Sequence, residues 1–116
     1  MLTLTPQRLA AVYECLRSFP PFSKWGIPPA EEVAFAVSHS RKNRGAYWHD
    51  GTQHWIEVSA KNIGHFHSLA AVMAHEMVHL YQKHAKTETP NTVHNAQFHK
   101  IAAVICKRFG WDVKLF

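Results

Sequence analysis

His75-Glu76-Met77-Val78-His79 is an H-E-x-x-H pattern. In a helix, residues four apart differ by about 40° in direction, so His75 and His79 sit one above the other. Two imidazoles one turn apart can share one zinc ion. Glu76 lies beside that pair, where it can reach a water on the ion. Apart from these three, every residue from Leu69 to Leu80 is apolar. A helix apolar all round is a buried one. Burying two imidazoles and a carboxyl without partners is costly. A metal ion removes that difficulty, because the imidazoles become ligands and the carboxylate a partner of the bound water.

A zinc site needs a third protein ligand. The downstream candidates are His84, Glu88, His94 and His99. Phe98, Ile101, Ile105 and Phe109 mark the apolar stripe of a last helix. At about 100° per residue, His94 falls within roughly 60° of all four, whereas His99 points about 160° from Ile101. His94 is therefore expected to face the core and the metal helix. His84 follows too soon on a helix already committed to two ligands. Glu88 lies just past that helix, where a turn could aim it back.

Other elements must position these groups. Thr5-Pro6 reads as the cap and first residue of a helix from about Pro6 to Ser18, with Leu9, Val12, Tyr13 and Leu16 on its buried face. Pro20-Pro21 ends it, and Phe22 to Pro29 is a loop. Val33, Phe35 and Val37 mark a strand, followed by the basic turn Ser40 to Arg44. A second strand covers Ala46 to His49 and a third Gln53 to Ser59, joined at Asp50-Gly51. The third carries Ile56 and Val58 on one face. These three strands are expected to form an antiparallel meander. Lys61 to His67 is a connector, and Ser68 is the expected N-cap of the metal helix, which runs to about Lys86. The last helix covers about Asn95 to Phe109 and stops at Gly110. Trp111 to Phe116 is an apolar tail that could add a final strand.

The 116 residues make one domain, 1–116, with 47% hydrophobic residues and no apolar run long enough to span a membrane. Met1 to Thr5 has neither a basic nor an apolar leader region, so a cytoplasmic protein is expected. Two cysteines, Cys15 and Cys106, cannot build a disulfide framework, and free thiols are expected. The formal net charge is +5, and residues 81–116 carry six Lys/Arg against Glu88 and Asp112. That balance suits either an acidic partner such as nucleic acid or ordinary surface charge. Arg41, Lys42 and Arg44, with Trp48 and Trp55, could contact phosphates and stack bases, or simply form a solvated turn. His65 and His67 read as loop surface, and Tyr81 as core. Tyr47, His49 and His54 could line a cleft and aid an oxyanion, but the sequence does not choose among them.

His75-Glu76-Met77-Val78-His79, followed after a spacer by His94-Asn95-Ala96-Gln97-Phe98, resembles the SprT-like zinc metalloprotease family. That family's pattern is H-E-x-x-H followed by H-G-x-x-F. The resemblance spans roughly Val33 to Phe116. It implies zinc held by His75, His79 and His94, with Glu76 as the catalytic carboxylate. Asn95 stands where the family usually has Gly. The family's C-terminal zinc ribbon needs four cysteines, which this chain does not offer. The resulting expectation is an α+β, zincin-like single domain. Its parts are an N-terminal helix, a three-stranded antiparallel sheet, the H-E-x-x-H helix and a C-terminal helix. The expected activity is zinc-dependent endopeptidase action on protein substrates, including DNA-bound or DNA-crosslinked ones by family analogy. The alternative is a non-catalytic, zinc-stabilised nucleic-acid-binding module.

Overall fold

The computed structural model describes residues 3–61 and 66–116. Helix α1 (Pro6–Arg17) begins as expected, with the Thr5 hydroxyl accepting the Arg8 amide at 3.1 Å. Its buried residues are Leu9, Val12, Tyr13 and Leu16. Tyr13 ties this helix to the next segment. Its hydroxyl donates to the Pro28 carbonyl at 2.6 Å, and its ring meets Phe35 edge-on at 5.5 Å. Glu14 adds a second tie by accepting the Ala30 amide at 2.9 Å.

The sheet is not the expected meander. Strands β1 (Val33–Ser38), β2 (Gly45–His49) and β3 (His54–Ser59) stand in the order β1-β3-β2. β2 and β3 are antiparallel, but β1 runs parallel to β3, so the sheet is mixed. Apolar alternation assigns each strand its faces and says nothing about its neighbours. Ile56 and Val58 are wholly buried, and the strand that carries them takes the centre. The link 39–44 then passes over the end of β3. Buried Ser59 holds it there: its amide donates to the Arg44 carbonyl at 2.8 Å and its hydroxyl to the Ser40 carbonyl. The β2–β3 turn is as expected. Asp50 Oδ1 accepts the amides of Thr52 and Gln53 at 2.8 and 2.9 Å, and Gly51 adopts φ +93°.

Helix α2 (Phe66–Ala85) starts two residues before Ser68, which lies in its first turn and does not cap it. A cap preference of about 1 kcal/mol is small beside the packing of a 20-residue helix. His65 and the side chain of His67 lie outside the described residues. α2 packs against α1, β2, β3 and a last helix, α3 (Ala96–Phe109). Met73, Met77, Val78 and Leu80 of α2 are fully buried. Tyr81 is partly buried and packs against the core as expected, stacked on Trp25 at 4.4 Å.

Asn95 caps α3, and Gly110 ends it at φ +75° with the Trp111 amide donating to the Cys106 carbonyl at 2.9 Å. The tail forms a 3-10 turn, Val113–Leu115, and not the final strand it could have added. Asp112 closes that turn by accepting the Lys114 amide at 2.9 Å. The Leu115 carbonyl then accepts Arg44 Nη2 at 3.1 Å, so the tail's polar groups face side chains and not a strand. Together these elements make one α+β domain. Cys15 and Cys106 are free thiols. No described helix is long and apolar enough to cross a membrane.

Candidate metal centre

One turn of α2 separates His75 from His79, and their ring centroids lie 5.1 Å apart. His94 completes a near-equilateral triangle, 5.0 Å from His75 and 5.1 Å from His79. One nitrogen from each ring lies within 4.8 Å of the other two. The other candidates fall outside this group. His84 and His99 are exposed, and Glu88 pairs with Lys83 at 3.3 Å.

His94 reaches the group for a reason other than the expected one. It is not on α3 and does not face the core. It precedes the cap residue Asn95 and is exposed. The 100° rotation per residue does not extend to residues that precede the helix. Ring stacking positions His94 instead, at 4.5 Å and 28° to Phe98. Phe98 is only 3% exposed and also stacks on His79 at 4.8 Å and meets His75 edge-on at 5.0 Å. One buried aromatic thus forms the floor under all three imidazoles.

Asn95 locks the segment that carries His94. Its Oδ1 accepts the Phe98 amide and Gln82 Nε2, both at 2.9 Å, and its Nδ2 donates to the Thr87 carbonyl at 3.2 Å. Gln82 also donates to Gln97 Oε1 at 3.0 Å and is 2% exposed. Sequence reasoning missed Gln82. Its signal is its place seven residues after His75, on the same helix face.

His75 Nδ1 lies 2.7 Å from the Phe116 carbonyl oxygen. That backbone oxygen can only accept, so Nδ1 carries the proton and the lone pair sits on Nε2. Metal-binding histidines are commonly oriented this way. No sequence pattern announces such a backbone partner. Burial pushes His75 down to about 4, against the Phe116 bond, which acts the other way. Burial, with His75 and His94 nearby, pushes His79 to about 4 as well, and burial also lowers His94. All three rings are therefore neutral at pH 7, the form that binds a metal ion.

Glu76 is 5% exposed, and burial raises its carboxyl to about 8. It opens with His75, His79 and His94 onto a cleft of about 540 Å³. All five residues of β2 line one wall, and Glu88, Thr89 and Thr92 to His94 line the other. Tyr47 and His49 are thus in the cleft, while His54 stands behind Tyr47 and meets its hydroxyl at 2.6 Å through Nδ1. Three neutral imidazoles beside an accessible cleft fit a zinc ion with an open coordination position. Trp48, on the β2 wall, stacks on Trp55 at 5.5 Å and 4°, and Arg41 and Lys42 are exposed.

A model of the SprT-like family matches residues 12–114. No curated protein matches the chain. The matched span begins inside α1, well ahead of the Val33 at which the resemblance starts in the sequence motifs.

Two outcomes are expected. His94→Ala should lower zinc content sharply in a metal-replete preparation, while His99→Ala should leave about one zinc per chain; atomic absorption on both variants checks this. The second concerns Glu76 in the metal-free protein. The fold keeps its proton up to about pH 8, whereas the ordinary value is 4.5. Between those values the unfolded chain releases a proton that the fold retains, so stability falls as pH rises. Glu76→Gln abolishes that loss. Its thermal midpoint should exceed the parent's at pH 8, by on the order of 4 °C per kcal/mol, and match it near pH 4. Scanning calorimetry of both chelated forms decides the point.

Proposed function

The chain belongs to the SprT-like family, and on that footing we propose that it is a zinc-dependent endopeptidase. The supporting observation is the triangle of His75, His79 and His94 with buried Glu76 beside it, opening on the β2 wall of the cleft. A zinc ion held by these three imidazoles would supply Lewis acidity, polarising the scissile carbonyl and acidifying the attacking water. Glu76 accepts the proton of that water as it attacks and returns it to the departing amine. A cation held there would favour the ionised carboxylate, the form of Glu76 that can accept a proton. β2 is a sheet edge, and its backbone can pair with an extended substrate chain laid along the cleft.

Among the described residues the group holds three candidate ligands, and three with an accessible cleft beside them suit a catalytic site better than a closed structural one. This disfavours the zinc-stabilised binding module. Substrates bound to nucleic acid suit the net charge of +5 and the exposed Arg41 and Lys42.

Glu76→Gln keeps the size of the side chain but cannot take up the proton. It should retain zinc and lose about 10²–10⁴ of the cleavage rate, measured on an unfolded protein and on a DNA-bound one. A variant that keeps its zinc and cleaves as fast as the parent would sink the mechanism. For nucleic acid, affinity should fall steeply between low and physiological salt, and Arg41→Ala with Lys42→Ala should flatten that slope. Absence of binding to single- or double-stranded DNA at low salt would remove the nucleic-acid part and leave the peptidase.

A further inference from the structure

Gly45 opens β2 and pairs with Val58 of β3. A Cβ added to it would lie 2.7 Å from Val72 Cγ1, 2.9 Å from Glu76 Oε2 and 3.2 Å from the Glu57 carbonyl oxygen. Gly26, Gly51 and Gly110 are different: each has a positive φ, and nothing lies within 4 Å of its added Cβ. Gly45 is therefore required by a close approach and not by its backbone conformation. Val72 and Glu76 are four residues apart on α2 and share the face that meets this strand.

From this we propose that Gly45 is a positioning residue: its bare backbone is the stop against which the Glu76 carboxylate rests. The proposal builds on the reading of Glu76 as the proton acceptor. Ordinary contact starts at 3.4 Å, so a methyl group at position 45 drives Oε2 back by about 0.5 Å, the tolerance within which catalytic groups must be held. β2 cannot give way easily, because it is registered on β3 and its approach is held by the Ser59–Arg44 bond. Val72 is β-branched and stiff. The carboxylate ends a longer side chain and moves first. It has room to do so, because a second cavity of about 210 Å³, lined by Lys42, Gly45, Val72 and Glu76 among others, adjoins the cleft here.

The test compares the zinc-loaded parent with Gly45→Ala, Val72→Ala and the double variant. Zinc content, kcat, KM and a crystal structure of each are measured. Gly45→Ala should keep zinc and KM and lose roughly 10- to 100-fold in kcat. Its crystal structure should show the Glu76 carboxylate displaced, with His75, His79 and His94 in place. Val72→Ala alone should leave kcat within about two-fold of the parent. The double variant relieves the tightest contact, so it folds even where Gly45→Ala does not. It should still show the kcat loss, because the contact with Glu76 remains. An unmoved carboxylate, an unchanged kcat in Gly45→Ala, a kcat restored in the double variant, or lost zinc would each overturn the proposal. If the parent cleaves nothing, the peptidase reading fails, and the crystal structures still decide whether residue 45 sets the carboxylate.

Discussion

An apolar helix that carries two half-buried imidazoles and a buried carboxyl must find contacts for those groups outside itself. The helix's own backbone bonds are already used, and its neighbours on α2 are hydrocarbon. Each partner therefore comes from a distant segment. The Phe116 backbone oxygen accepts a hydrogen bond from His75 Nδ1, the Phe98 ring floors all three imidazoles, and the head of β2 lies close against Glu76. The tail, α3 and the sheet are thus all fitted to one short stretch of α2.

The segment that carries His94 shows how an exposed candidate ligand is held in place. His94 lies outside any helix, and a loop ligand is loose unless its surroundings hold it. Asn95 does this with its cap bond to Phe98, its contact with buried Gln82 and its donation to Thr87. A Gly at this position could start the helix but would leave Gln82 Nε2 with only Gln97 among these partners. The Asn in place of the family's usual Gly is therefore paired with a buried glutamine on the metal helix.

Sheet order bears directly on the site. In a meander β2 would lie between β1 and β3, with both edges occupied. Because β1 pairs in parallel with β3, β2 is left at the edge and its whole length lines the cleft. The link 39–44 makes this possible by crossing the end of β3, and Ser59 is buried there to accept it.

The sequence alone determined the elements whose signals are local. The cap at Thr5, the start of the last helix near Asn95, the Asp50-Gly51 turn, the Gly110 stop and the placing of His75 over His79 all follow from residues a few positions apart. Family motif and helix arithmetic both pointed to His94, yet His94 joins the other two imidazoles by stacking on Phe98 from a loop and not from the helix face that the arithmetic used. What only the tertiary structure decided were relations between segments far apart in the chain. They include the parallel β1–β3 pairing, the tail folding as a turn against Arg44 and His75, and the contact of Gly45 with Glu76. Alternation reveals a strand's faces but not its neighbour, and a backbone carbonyl has no residue type to betray it. A glycine needed for close approach looks the same as one needed for a turn until the opposing side chain is in place.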